Sequence, residues 1–153
     1  MTTKPPKWYW AISALILLWN LLGAFVFAFM VMIVSGNLDI ASEQAMASLT
    51  EEQKAQTIET KETIINTPLW VNVAFAVAVG FGVLGSLALL MRKKLAIPLL
   101  IISLVGVLVQ NSYTYLLSDT IEKMGVGLSP VVILVAILLI PFAMLCAKRG
   151  WLI

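Results

Sequence analysis

Four stretches of this chain contain no charged side chain: residues 8–34, 69–91, 95–117 and 128–147. Crossing ~30 Å of hydrocarbon at 1.5 Å per residue takes about 20 apolar residues. The pattern predicts an all-α membrane protein, an antiparallel four-helix transmembrane bundle. Residues 1–153 form one domain, with spans at about 8–34, 69–91, 95–117 and 129–147 and an external helical loop at about 36–67. Lys4 and Lys7 give the first run the basic start of a secretory signal, and Ala45-Met46-Ala47 resembles a cleavage site. Its 27 residues nevertheless exceed the roughly 7–15 of a signal peptide, so it is read as a span.

The charges orient the bundle. Lys4, Lys7, Arg92, Lys93, Lys94, Lys148 and Arg149 fall at the two ends of the chain and in the second loop. Lys54, Lys61 and Lys123 fall in the first and third loops, together with all eight acidic residues. The positive-inside rule then places both termini and the Arg92-Lys93-Lys94 turn in the cytoplasm. Aromatic residues agree with that orientation: Trp8, Tyr9 and Trp10 at the inner end of span one, Trp70, Tyr113 and Tyr115 at the outer ends of spans two and three. Trp19, beside Asn20 in mid-span, does not fit such a belt.

The loop between spans one and two is the one substantial polar segment. Gly36-Asn37 stops the first helix. Ser48…Glu51 and Thr50…Gln53 both have capping-box spacing, so a helix is expected from about Leu49 to Ile65, ending before Pro68. The third loop is expected at Ser118–Gly127, and Ser129-Pro130 reads as the start of span four. Pro141 lies inside that span, where a kink is expected.

The chemistry is largely exclusionary. There is no histidine, which removes the usual general base, proton relay and metal ligand. Cys146 is the single cysteine, so no redox pair exists. No Gly-rich phosphate loop follows a strand pattern. A net charge of +2 gives no reason to expect a nucleic-acid partner. No catalytic residue, cofactor or metal is expected, and the chain is read as a non-enzyme. No span holds an acid of the kind a proton- or ion-coupled transporter uses.

Two polar or small-residue sets stand out. Ala74, Ala78, Gly82 and Ser86 recur every four residues along span two and predict a helix-packing groove, either within the bundle or toward a second copy. Asn20, Asn72, Gln110, Asn111 and Thr114 form the second set, and they are candidates for an outward-opening polar crevice. Counting rise from the inner ends puts Asn20 at ~18 Å and Gln110 at ~22 Å. The alternative is that these amides bond other helices, at around 0.6 kcal/mol per contact. Asn20 should face spans two or three, with Gln110 as the partner nearest in type.

Several segments carry a likeness. They are Lys4-Pro5-Pro6-Lys7-Trp8-Tyr9-Trp10, Leu18-Trp19-Asn20-Leu21-Leu22-Gly23, Leu49-Thr50-Glu51-Glu52-Gln53, Pro68-Leu69-Trp70-Val71, Gly82-Val83-Leu84-Gly85 and the run from Ser103 to Gln110. Taken together the chain resembles a family of small four-span bacterial inner-membrane proteins whose members commonly carry the label "sugar transporter". The resemblance implies an inner-membrane location and carries over no catalytic or binding residue. Two readings follow. One is a non-enzymatic scaffold or accessory protein that holds another membrane protein or a second copy. The other is a carrier for a neutral polar solute such as a sugar, working as an oligomer.

Overall fold

The computed structural model describes residues 4–118, 127 and 129–153. Asp119, Glu122, Lys123 and Gly125, which the sequence places in the third loop, lie outside the described residues, as does most of that loop. Among the described residues six helices follow in order: α1 (Lys7–Val34), α2 (Glu43–Met46), α3 (Glu51–Asn66), α4 (Leu69–Leu90), α5 (Ala96–Leu116) and α6 (Ser129–Lys148). Helices α1, α4, α5 and α6 are long and apolar enough to cross a bilayer. The chain is therefore a multi-pass membrane protein. Helix is the form these runs must take, because in hydrocarbon every backbone N–H and C=O needs an internal partner.

Helix α3 forms for different reasons. Thr50 and Gln53 make the complete capping box: Thr50 Oγ1 accepts from the Gln53 N–H, and Gln53 Oε1 accepts from the Thr50 N–H at 3.0 Å. Of the two candidate caps, Thr50 is thus the one used. Thr57, Thr60, Thr63 and Thr67 each donate their hydroxyl to the carbonyl four residues back, which lets β-branched residues sit in or at the end of a polar helix. Pro68 holds Thr67 extended and ends it. Lys61 Nζ pairs with Asp39 at 2.6 Å and ties α3 to the exit of α1. That ammonium, with the Ala41 N–H, holds the Asp39 carboxyl below its usual range.

The four long helices form an open arc. The α4–α5 seam is the most extensive, α1 packs on α4, and α6 packs on α5. Among the described residues α1 and α6 share no comparable seam. Burial follows that order: 39% and 33% of the most apolar stretch is buried in α4 and α5, against 11% in α1 and in α6.

The α4–α5 seam rests on small residues. Ala74, Ala78, Gly82 and Ser86 are all buried. Gly106 of α5 lies against the α4 backbone so closely that a Cβ there would stand 2.8 Å from the Ala74 carbonyl oxygen and 2.8 Å from the Ala78 nitrogen. Ser103 Oγ donates to the Ala78 carbonyl at 2.6 Å and pins the same turn. Lipid supplies no hydrophobic force between helices, so close backbone approach and such hydrogen bonds must hold the seam.

The end of the bundle that carries Arg92, Lys93 and Lys94, here the basic end, is closed by a clasp that the sequence pattern did not reveal. Helices α4 and α6 both finish in Schellman motifs. In the first, Lys93 N–H bonds Ala88 C=O and Arg92 N–H bonds Leu89 C=O. In the second, Trp151 N–H bonds Cys146 C=O and Gly150 N–H bonds Ala147 C=O. Gly150 takes the required left-handed conformation at φ 70°, and Arg92 takes it at φ 60° without being glycine. That conformation costs a side-chain-bearing residue roughly 1–2 kcal/mol, and the neighbouring segment offsets it. Ile153 N–H bonds Arg92 C=O, Lys94 N–H bonds Ile153 C=O, and Arg92 Nε donates to Trp151 C=O. Trp151 then lies edge-on to Trp8 and Tyr9, with the Arg149 guanidinium 5.2 Å from its ring centre. Tyr9, read from sequence as an interfacial anchor, is instead fully buried and donates its hydroxyl to the Leu89 carbonyl. Only Trp8 and Trp10 of that trio stay exposed, because α1 turns just one of three successive residues toward α4.

Candidate functional site

Between the arms of the arc lies a cavity of about 330 Å³. Its floor comes from α4 (Phe75, Ala78, Val79) and α5 (Leu100, Ser103, Val107, Gln110, Asn111). One wall is the α1 face carrying Trp19, Asn20 and Gly23, and the other is the α6 face from Ser129 to Leu139. The basic-end clasp closes one extremity, since Leu100 belongs both to the cavity and to the buried cluster around Tyr9 and Leu89. The other extremity reaches Ser129, the first residue of α6.

Three of the five crevice candidates meet here: Asn20, Gln110 and Asn111. Asn72 and Thr114 do not line the cavity. Asn72 sits in the first turn of α4 and lies 3.5 Å from the Thr67 carbonyl, so its depth places it at the end of the bundle. Thr114 lies one turn past Gln110 on α5, and its carbonyl accepts from Ser118. Trp19 and Ser103 join the cavity, and Trp19's mid-span position is thereby explained.

Asn20 faces α4 and α5. A Cβ added at Gly82 would fall on Asn20 Oδ1 and stand 3.1 Å from Ser103 Oγ. The absence of a side chain at Gly82 therefore makes room for the amide. Asn20 Nδ2 donates to the Ile16 carbonyl of its own helix at 2.8 Å. It does not bond Gln110, although both line the same cavity. Gly82→Ala should push the Asn20 side chain out of its seat rather than part the helices, because a side-chain end yields more easily than backbone. The expected outcome is a stability loss of about 1 kcal/mol or less, with altered chemical shifts for the Asn20 amide. A loss as large as that at a backbone-limited glycine would show that Gly82 is instead a close-approach point.

The remaining hydrogen-bonding capacity decides what the cavity can do. Asn111 is 7% exposed, and its Nδ2 donates to Val107 C=O of its own helix at 2.8 Å. No described residue donates to its Oδ1. Gln110 is half-buried, and its amide bonds to no described residue. Among the described residues, Ser103 is the one cavity side chain that bonds across to another helix. Among the described residues Asn20, Gln110 and Asn111 therefore make no interhelical bond. All described lining residues are uncharged. The two small-residue features that sequence reasoning did not connect are Gly106 and Gly82. The four-residue repeat on α4 was visible, but nothing in it says which neighbour each position meets. No family model, curated protein or solved structure matches the chain.

Proposed function

We propose that this protein is a non-enzymatic membrane protein that binds a small, uncharged, hydroxyl-bearing molecule in the cavity between its four spans, as part of a carrier for that solute. The observation that carries the reading is the unused hydrogen-bonding capacity of Gln110 and Asn111 inside an uncharged cavity at membrane depth. These groups face the cavity, since neither Gln110 nor Asn111 contributes a fully buried unpaired polar atom; a packing role would have paired them with neighbouring helices. Hydroxyls both donate and accept, which matches amide N–H and C=O groups side by side. An ion is disfavoured, because no described lining residue could balance its charge. A volume of about 330 Å³ lies at the low end of the roughly 300–1,000 Å³ of small-molecule sites. Four spans are few for alternating access, so transport would require a second copy.

Gln110→Leu tests this. The side chain makes no bond to the described residues, so the unliganded melting temperature should stay within a degree or two of wild type. A panel of neutral sugars, polyols and their lipid conjugates should contain a compound that stabilises wild type, by about 2.7 kcal/mol at a hundredfold excess over Kd. Gln110→Leu should lose that stabilisation. If no neutral hydroxylated compound, free or lipid-linked, stabilises the wild type, the binding function fails.

The scaffold reading keeps one specific support. Helix α3 has no buried residue, and its ion pair to Asp39 leaves most of its polar surface free for a protein partner. A stoichiometric second protein retained in mild detergent would favour it. The distribution of Lys and Arg supports an orientation with both termini cytoplasmic, and the resemblance noted above is what suggests a bacterial inner membrane. Reporter fusions at Glu52 and after Ile153 are expected on opposite sides, and reporters on one side would overturn that topology.

A further inference from the structure

We infer that the occupant of the cavity is a lipid whose neutral, hydroxyl-bearing head sits against Gln110 and Asn111 while its acyl chains lie in the gap between α1 and α6. The inference rests on the binding function proposed above and names the source of the ligand. Its first support is the open arc. Because α1 and α6 share no comparable seam among the described residues, no described helix walls the side of the cavity opposite the α4–α5 floor. Among the described residues the ring contact between the two arms, Trp8 with Phe142 at 6.5 Å, lies at the basic end, below the cavity.

The second support is at the cavity's rim. Leu22 and Val26 line the cavity, yet they are 56% and 45% exposed. A residue that is both lining and lipid-facing marks a place where the cavity runs into the bilayer. The third is size and polarity. About 330 Å³ suits one ring-sized head and leaves no room for chains. The polar groups are Ser103, Gln110 and Asn111 on the α5 floor, Asn20 on the α1 wall and Ser129 at the start of α6, while the exposed α1 rim at Leu22 and Val26 is apolar. That gradient orients an amphiphile with its head inward and its tails toward lipid. The fourth is Asn111, a 7% exposed residue of that floor whose side-chain oxygen accepts from no described residue.

The experiment uses the full chain in phosphatidylcholine nanodiscs. The probes are monoglucosyl diacylglycerol, the free sugar methyl glucoside, and phosphatidylglycerol as a charged lipid of the same tail length. Bound lipid is read by native mass spectrometry, and affinity by competition. Monoglucosyl diacylglycerol is expected to bind one per chain and to be undisplaced by methyl glucoside. Gln110→Leu should weaken it by about tenfold, the effect of losing one good hydrogen bond to a buried head. Methyl glucoside binding as well as the lipid, with the same dependence on Gln110, would overturn the lipid inference and leave the solute-binding function intact. Phosphatidylglycerol binding equally, with no effect of Gln110→Leu, would mean ordinary boundary lipid and would also overturn it. Binding by neither glucosyl probe would overturn the inference, and a wider panel of hydroxylated compounds that also failed would take the proposed function with it.

Discussion

Trp151→Ala is expected to lower stability by about 3–5 kcal/mol, the usual cost of removing a buried tryptophan. In a chain of this size that corresponds to a drop in apparent melting temperature on the order of 10 °C. Trp151 sits beyond the end of α6 and beside Arg92, Lys93, Lys94, Lys148 and Arg149, the charged band that marks the water interface. There, unlike mid-membrane, taking apolar surface out of water still stabilises. The ring also has edge contacts with Trp8 and Tyr9 and a cation–π contact with Arg149. Its loss would loosen the segment whose backbone bonds hold Arg92 in its left-handed conformation. Trp10→Ala is the control, since Trp10 is half-exposed at the same end and its ring contact among the described residues is with Tyr9. It should cost a small fraction of that amount. Equal losses at Trp10 and Trp151, measured by thermal unfolding in one detergent, would mean that interfacial anchoring matters and the clasp does not.

Gly106→Ala is expected to cost about 1–3 kcal/mol although it adds a single methyl group. The added carbon would meet Ala74 O, Ala78 N and Ala78 Cα at 2.8, 2.8 and 3.0 Å. All three are backbone atoms in the middle of a helix and cannot turn aside. Helices α4 and α5 would have to separate, and the Ser103–Ala78 hydrogen bond would stretch with them. Gly106→Leu should be worse still. Gly80→Ala provides the contrast, because a Cβ there meets nothing within 4 Å. That change should be near neutral or slightly favourable, as alanine is the better helix former. If Gly80→Ala and Gly106→Ala shift the melting temperature equally, close approach at Gly106 is not what holds the seam.

The two predictions mark the boundary between what could and could not be read along the chain. The number and extent of the membrane helices were legible because hydrocarbon thickness and backbone satisfaction act on every residue of a span, irrespective of its neighbours. The Thr50–Gln53 cap was legible for the same reason, being a contact between residues three apart. The candidate cavity was half legible. Asn20, Gln110 and Asn111 could be picked out as polar residues at membrane depth, but Asn72 and Thr114 satisfied the same criterion and lie elsewhere. Depth follows from counting, whereas facing depends on how each helix is rotated about its axis, and the hydropathy of an all-apolar helix scarcely records that rotation.

By itself, then, the sequence determined that this is a four-span membrane protein with a capped polar helix between its first two spans and no charge within a span. Only the tertiary structure decided that the spans form an open arc and that Gly106 sets the α4–α5 distance. It also decided that Trp151 and Ile153 close the basic end over Tyr9. Each of these is a contact between residues far apart in the chain. In lipid such contacts are selected by shape and by single hydrogen bonds rather than by hydrophobicity, so no periodicity announces them.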